Sequence, residues 1–138
     1  MKISTKNIAE NVNNKFVADG VEVFAGISRD PDFGLSIAFG LGGTAIEVTR
    51  DFALRMLPLR DGDAEAMIAE TRAAAMLGAV RGRPAADTRS LAACLYALSD
   101  FAQAHAESLA EVDLNPIKAL PSGCVVVDAL IVAIRPKD

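Results

Sequence analysis

EVDLNPIKALPSGCVVVDALIVAI, residues 111–134, consists of two apolar runs on either side of the turn formers Leu120-Pro121-Ser122-Gly123. Proline at i+1 and glycine at i+3 suit a type I turn, so Glu111 to Ala119 and Cys124 to Ile134 read as the arms of an antiparallel hairpin. Pairing Leu120 with Gly123 across the turn sets Asn115 directly opposite Asp128, with Cβ atoms about 4.5–5.5 Å apart. Alternation brings Asp113 and Glu111 to the same face. Asp128 stands between Val127 and Ala129 in a nearly all-apolar strand, and burying an unpaired carboxylate costs several kcal/mol, so something must compensate it. Facing Asp and Asn oxygens with a further carboxylate two residues along are hard ligands of the kind Mg²⁺ takes. The alternative at this point is that Asp128 ends a strand or hydrogen-bonds Asn115 with no metal.

Outward from this hairpin, VEVFAGIS (Val21 to Ser28) reads as a strand and Arg29 to Gly34 as a turn. Leu35 to Phe39 reads as a second strand, Gly40-Leu41-Gly42-Gly43 as a tight connection, and Thr44 to Thr49 as a third strand. The period then changes. Ala64, Met67, Ile68, Thr71, Ala74 and Ala75 fall at helical spacing, which predicts one helix over 64–77, capped by Asp61 or Asp63 and closed by Gly78 as a C′ glycine. A second helix starts at an Asp87 cap and carries the stripe Leu91, Leu95, Leu98, Ala102, His105 and Leu109. Residues 1–19 are expected as a leader or junction segment, a short helix running into a strand. The order β-β-β-α-α-β-β predicts an α+β domain, a mainly antiparallel sheet with two helices on one face.

Composition limits the function. The 138 residues carry 14 Lys+Arg against 18 Asp+Glu, a net charge of −4, and 51% are hydrophobic. One globular domain with a real core fits these numbers, and an electrostatic grip on nucleic acid does not. With aromatic residues at 5% and no Trp, there is no base-stacking platform either. The longest apolar run, Cys124 to Ile134, is about half the ~20 residues of a membrane-spanning helix. The polar start lacks an apolar signal region. Two cysteines without CxxC spacing point to neither a disulfide framework nor a zinc site, and the expected location is cytoplasmic.

Other features carry less. The glycines at 40–43 could bring backbone amides to a phosphate, but from composition alone a hairpin turn is the better explanation, and no Gly-Lys-Ser/Thr follows. Arg29-Asp30-Pro31 and Arg81-Gly82-Arg83-Pro84 offer guanidinium groups for phosphate or carboxylate, or simply solvated loops. His105 on the apolar stripe reads as a packed or partly exposed core histidine, without a nucleophile beside it. Cys94 and Cys124 read as core residues, with nothing nearby to lower a thiol pKa.

Together, GVEVFAGISRDPDFG (20–34), FGLGG and IEVTRD (39–51), MLPL (56–59), RGRPAAD (81–87) and EVDLNPIKAL…GCVVVDA (111–129) resemble the C-terminal half of the ATP-grasp domain of NDP-forming acyl-CoA synthetases. That group includes ADP-forming acetyl-CoA synthetase and the succinyl-CoA synthetase β chain. The resemblance covers about residues 16–134 and implies one lobe of an ATP-grasp fold over residues 20–138. Such enzymes are acid-thiol ligases that pass a phosphoryl group between ATP/ADP and a phosphohistidine, then an acyl phosphate. On this resemblance Asn115 and Asp128 match the Mg²⁺ ligands and Asp113 matches the acidic position two before the Asn. Glu22, Arg29, Asp30, Gly42 and Gly43 match positions around the nucleotide. A full ATP-grasp unit of this family is much longer than this chain. The implied partners are therefore the missing N-terminal lobe and the CoA-binding and ligase domains, which hold CoA and the acyl substrate; a homo-oligomer is compatible. His105 lies outside the matching motifs, no residue is assigned a catalytic role, and the isolated chain is expected to turn over little. The alternative is a non-catalytic remnant that acts as an interaction or regulatory module.

Overall fold

Buried and open positions alternate along Val21–Asp30, and this strand sits at the middle of the sheet. A computed structural model of the protein describes residues 2–6 (as backbone), 20–42, 51–80 and 82–136. The strands are β1 (Lys2–Lys6), β2 (Val21–Asp30), β3 (Gly34–Leu41), β4 (Phe52–Met56), β5 (Leu109–Ala119), β6 (Cys124–Val126) and β7 (Asp128–Ala133). Three helical segments, α1 (Asp63–Glu70), α2 (Ala73–Leu77) and α3 (Thr88–Ala104), interrupt them between β4 and β5. The sheet order is β1-β7-β5-β2-β3-β4, with β6 paired to β5 and every pairing antiparallel. The α+β architecture with helices on one face matches the sequence reading.

The core lies between that face and the helices. Val21, Val23, Ala25 and Ile27 of β2, Ile37 and Phe39 of β3, and Val112 and Ile117 of β5 are buried with Met67, Ile68, Leu77, Leu91 and Leu95. Burying a Leu or Ile side chain contributes about 1.5–3 kcal/mol. Asp87 caps α3 as expected, its Oδ1 accepting the Ser90 N–H at 3.0 Å.

Four expectations change. The single helix over 64–77 is broken: Thr71 is extended and buried, its Oγ1 donates to the Ile68 carbonyl, and the Arg72 N–H donates to Asp51 Oδ2 at 2.6 Å. A side chain that bonds its own backbone competes with the helical ladder. Gly62 rather than Asp61 or Asp63 occupies the cap of α1, and Gly78 is extended rather than left-handed. Lys2–Lys6, read within a leader, form a strand against β7. Phe52–Met56 is a strand that the reading passed over, while the strand expected at Thr44 to Thr49 lies outside the described residues.

Candidate metal and nucleotide site

The site is on the sheet face turned away from the helices. With Val112 buried and Leu114 packed on the core, Asp113 and Glu111 point to the other side. The hairpin forms as the sequence predicts: the Leu120 N–H donates to the Gly123 carbonyl, and Gly123 has a positive φ of 80°. Ile117↔Val126 and Leu114↔Ala129 keep one register on both sides of the gap between β6 and β7, so Asn115 stands across from Asp128.

Against β2 the same strand slips. Val23 pairs Ile117 while Ala25 pairs Leu114, so Asn115 and Pro116 together face the single residue Phe24. Pro116 has no N–H for the ladder, and the resulting bulge re-aims the strand at the Asn115 position. Beyond it Ile117 and Ala119 return to the core. Lys118 turns to the open side, where its Nζ lies 2.9 Å from Glu22 Oε1.

The electrostatics of this face are acidic. Asp128 Oδ1 is buried and has no hydrogen-bond partner among the described residues. Burial holds the Asp113 carboxyl above its usual range, reinforced by the charges of Glu111 and then Asp128. Among the described residues no three His, Cys, Asp or Glu side chains gather closely enough to enclose a metal by themselves. The available set is Asp113, Asp128 and the Asn115 amide. Two carboxylates and one amide suit Mg²⁺, which commonly takes one or two protein carboxylates and completes its shell with water and substrate phosphate.

The remaining predicted residues are distributed along β2 and β3. Glu22 is exposed and paired with Lys118, close to the bulge. Arg29 and Asp30 are at the far end of β2. The Arg29 Nε donates to the Leu109 carbonyl at 2.9 Å and its Nη2 to the Ala106 carbonyl, which ties down the start of β5. Asp30 Oδ1 accepts the N–H groups of Asp32 and Phe33 and shapes the β2–β3 turn. The Gly42 N–H donates to the Glu22 carbonyl at 2.9 Å. A Cβ there would approach the Val23 carbonyl oxygen to 2.8 Å, so close strand packing accounts for this glycine. Gly43 lies outside the described residues. A cleft of about 600 Å³ between the helices, with Ile68, Leu77 and Ala92 in its wall, contains none of these residues.

Two further readings are corrected. His105 is exposed at the end of α3, its ring 4.7 Å from that of Phe101, because the helical stripe ends at Ala102. Cys94 and Cys124 pack against the core as expected, but each has the other beside it: the Cys124 thiol holds the Cys94 thiol down to about 7, while Cys94 and burial push Cys124 up. Reasoning from sequence also missed Lys118 and the full part played by Asp87. Asp87 Oδ2 accepts the Gly123 N–H at 2.8 Å, and the Asp87 N–H donates to the Leu120 carbonyl at 2.6 Å, so the helix cap also grips the hairpin turn. The cap pattern at Asp87 could be seen in the sequence, but its reach to Gly123 could not.

This chain, an antiparallel sheet with helices on one face, belongs to the ATP-grasp domain family, which it matches over residues 4–133. Its relatives narrow the group. It is 40% identical over 114 residues to acetate–CoA ligase [ADP-forming] I of Archaeoglobus fulgidus, covering 83% of this chain and 16% of that protein. It is 37% identical over 115 residues to the acetate–CoA ligase [ADP-forming] II subunit beta of Pyrococcus furiosus, covering 82% and 49%. Among solved structures, dinucleotide-forming acetyl-coenzyme A synthetase 1 of Ca. Korarchaeum cryptofilum, in complex with coenzyme A and Mg-AMPPCP, superposes with a TM-score of 0.77 at 41% identity. That match covers 83% of this chain and 54% of that one. The chain thus spans about half or less of the length of these relatives. Among the described residues no helix is long and apolar enough to cross a membrane.

Proposed function

We propose that this chain is the Mg²⁺-holding lobe of the nucleotide site in an ADP-forming acyl-CoA ligase, working together with an N-terminal lobe and CoA-binding domains. The observation that carries this reading is the buried, unpartnered Asp128 Oδ1 across from Asn115 and beside Asp113. A buried carboxylate oxygen left without a partner is costly, and a cation is a natural partner for it. Asp128 and Asn115 would hold Mg²⁺, with Asp113 adding charge beside them. Mg²⁺ held by these residues would supply positive charge against the phosphates of a nucleotide. The Glu22–Lys118 pair borders the same open face and supplies a fixed ammonium and carboxylate near the nucleotide.

Phosphoryl transfer rests on positioning and electrostatic stabilisation. One lobe gives neither in full, so the isolated chain binds without turning over, and the phosphohistidine and acyl-phosphate steps belong to the complete enzyme. Calorimetric titration with Mg·ATP is expected to give saturable heat, with chemical-shift changes centred on Asp128. An Asp128→Asn protein should bind at least about tenfold more weakly, since even outer-sphere partners of metal ligands are worth about 10–100-fold. Absence of both heat and shifts, or equal binding by the variant, would overturn the reading.

A second reading, an interaction module, draws on one observation: Phe52, Leu54 and Met56 of β4 are 50, 51 and 46% exposed on the same open face. The Mg·ATP titration separates the two, since an interaction module has no need of the cation.

A further inference from the structure

Cys94 and Cys124 are thirty residues apart in the chain, and the fold brings them together at the start of α3. Cys124 Sγ lies 3.7 Å from the Ser90 carbonyl oxygen. Ser90 is four residues before Cys94 on α3, so the Cys124 thiol lies over the turn on which Cys94 stands. Helical side chains tilt toward the helix N-terminus, and this tilt leans Cys94 toward Ser90 and hence toward Cys124. The approach is held in place by the neighbouring grip of Asp87 on Gly123, one residue before Cys124. Both cysteines are free thiols of intermediate exposure.

We propose that Cys94 and Cys124 form a dithiol modification site that a hydroperoxide converts to an intramolecular disulfide, stapling α3 to β6. The fold divides the roles between the sulfurs. The Cys124 thiol beside it lowers the pKa of the Cys94 thiol, which makes Cys94 the attacking sulfur. Cys124 is pushed up and stays protonated as the resolving thiol. The Cys94 thiolate attacks the peroxide O–O bond, which breaks; sulfur takes one oxygen as a sulfenic acid, and the other leaves as alcohol or water with the proton that the thiol gave up. The Cys124 sulfur then attacks the sulfenic sulfur. The S–S bond forms, the S–O bond breaks, and hydroxide departs with the Cys124 proton as water. Two electrons pass from the thiol pair to the peroxide.

This site is independent of the Mg²⁺ reading, and its test does not involve nucleotide. The full chain is treated with hydrogen peroxide in its folded state, quenched, denatured, alkylated and read by peptide mass spectrometry. The expected result is joint loss of both thiols, with the Cys94 and Cys124 peptides linked within one molecule and released by dithiothreitol. In Cys124→Ser, Cys94 should stop at a sulfenic acid captured by dimedone. In Cys94→Ser, Cys124 should remain fully alkylatable. Wild-type protein that keeps both thiols, that carries Cys94 as sulfinic acid with Cys124 untouched, or that links only between molecules would overturn the proposal without needing either variant.

Discussion

Asp113 is the residue whose ionisation reports the site. Its carboxyl is held above the usual 3.8 by burial, then by Glu111 and Asp128. A raised carboxylate pKa means that the folded state binds the proton more tightly than the unfolded chain. The native state therefore gains stability as pH falls below the raised value, and above it carries the full cost of the charge. At neutral pH the proposed Mg²⁺ would remove that cost. NMR titration should place Asp113 above 3.8 without metal and lower its pKa on saturation with Mg²⁺; a value that does not move would separate Asp113 from the ion. The juxtaposition of Asn115 and Asp128 could be read from sequence because one turn at Leu120–Gly123 fixes the register of both arms. The Glu22–Lys118 and Cys94–Cys124 pairs could not, because each depends on which distant elements become neighbours.

At the scale of elements, the junction between α3 and the hairpin positions the proposed metal ligands, and Asp87 holds that junction. The N–H groups of Gly123 and Ser90 and the Ser90 hydroxyl hold its carboxyl down to about 2. A depressed carboxylate pKa contributes stability that is present above 3.8 and is lost as pH falls toward 2. Asp87→Ala should lower the melting temperature by a few degrees at pH 7, and the difference from wild type should vanish in acid melts near pH 2. The variant should also weaken Mg·ATP binding less than Asp128→Asn does, because Asp87 positions the hairpin without touching the ion. Not every element could be read this way. β4 was missed because its pattern is inverted: Phe52, Leu54 and Met56 face out, while the small Ala53 is buried and Arg55 reaches Glu70 on α1. The break in the helix at Thr71 was hidden because a β-branched residue at an apolar position passes for part of the stripe.

Across the whole molecule, stability and chemistry occupy opposite faces of one sheet. Among the described residues the helical face holds the buried cluster, and the other face holds the acidic hairpin and the exposed row of β4. This separation predicts two kinds of variant. Leu95→Ala removes a fully buried side chain from the middle of α3 and should cost about 2–5 kcal/mol in urea unfolding, a large part of the ~5–15 kcal/mol typical of a domain. Well below the unfolding transition, its Mg·ATP affinity should stay near that of wild type. Asp128→Asn should behave in the reverse way, since the buried Asp128 Oδ1 has no hydrogen-bond partner to lose in the metal-free fold. If Leu95→Ala instead lost affinity while still folded, the core would be coupled to the hairpin, and the two faces could not be treated as independent. The strand order decides this partition, and it could not be read from the sequence. β5 reaches its place between β2 and β7 only after the whole helical segment has been laid on the other face.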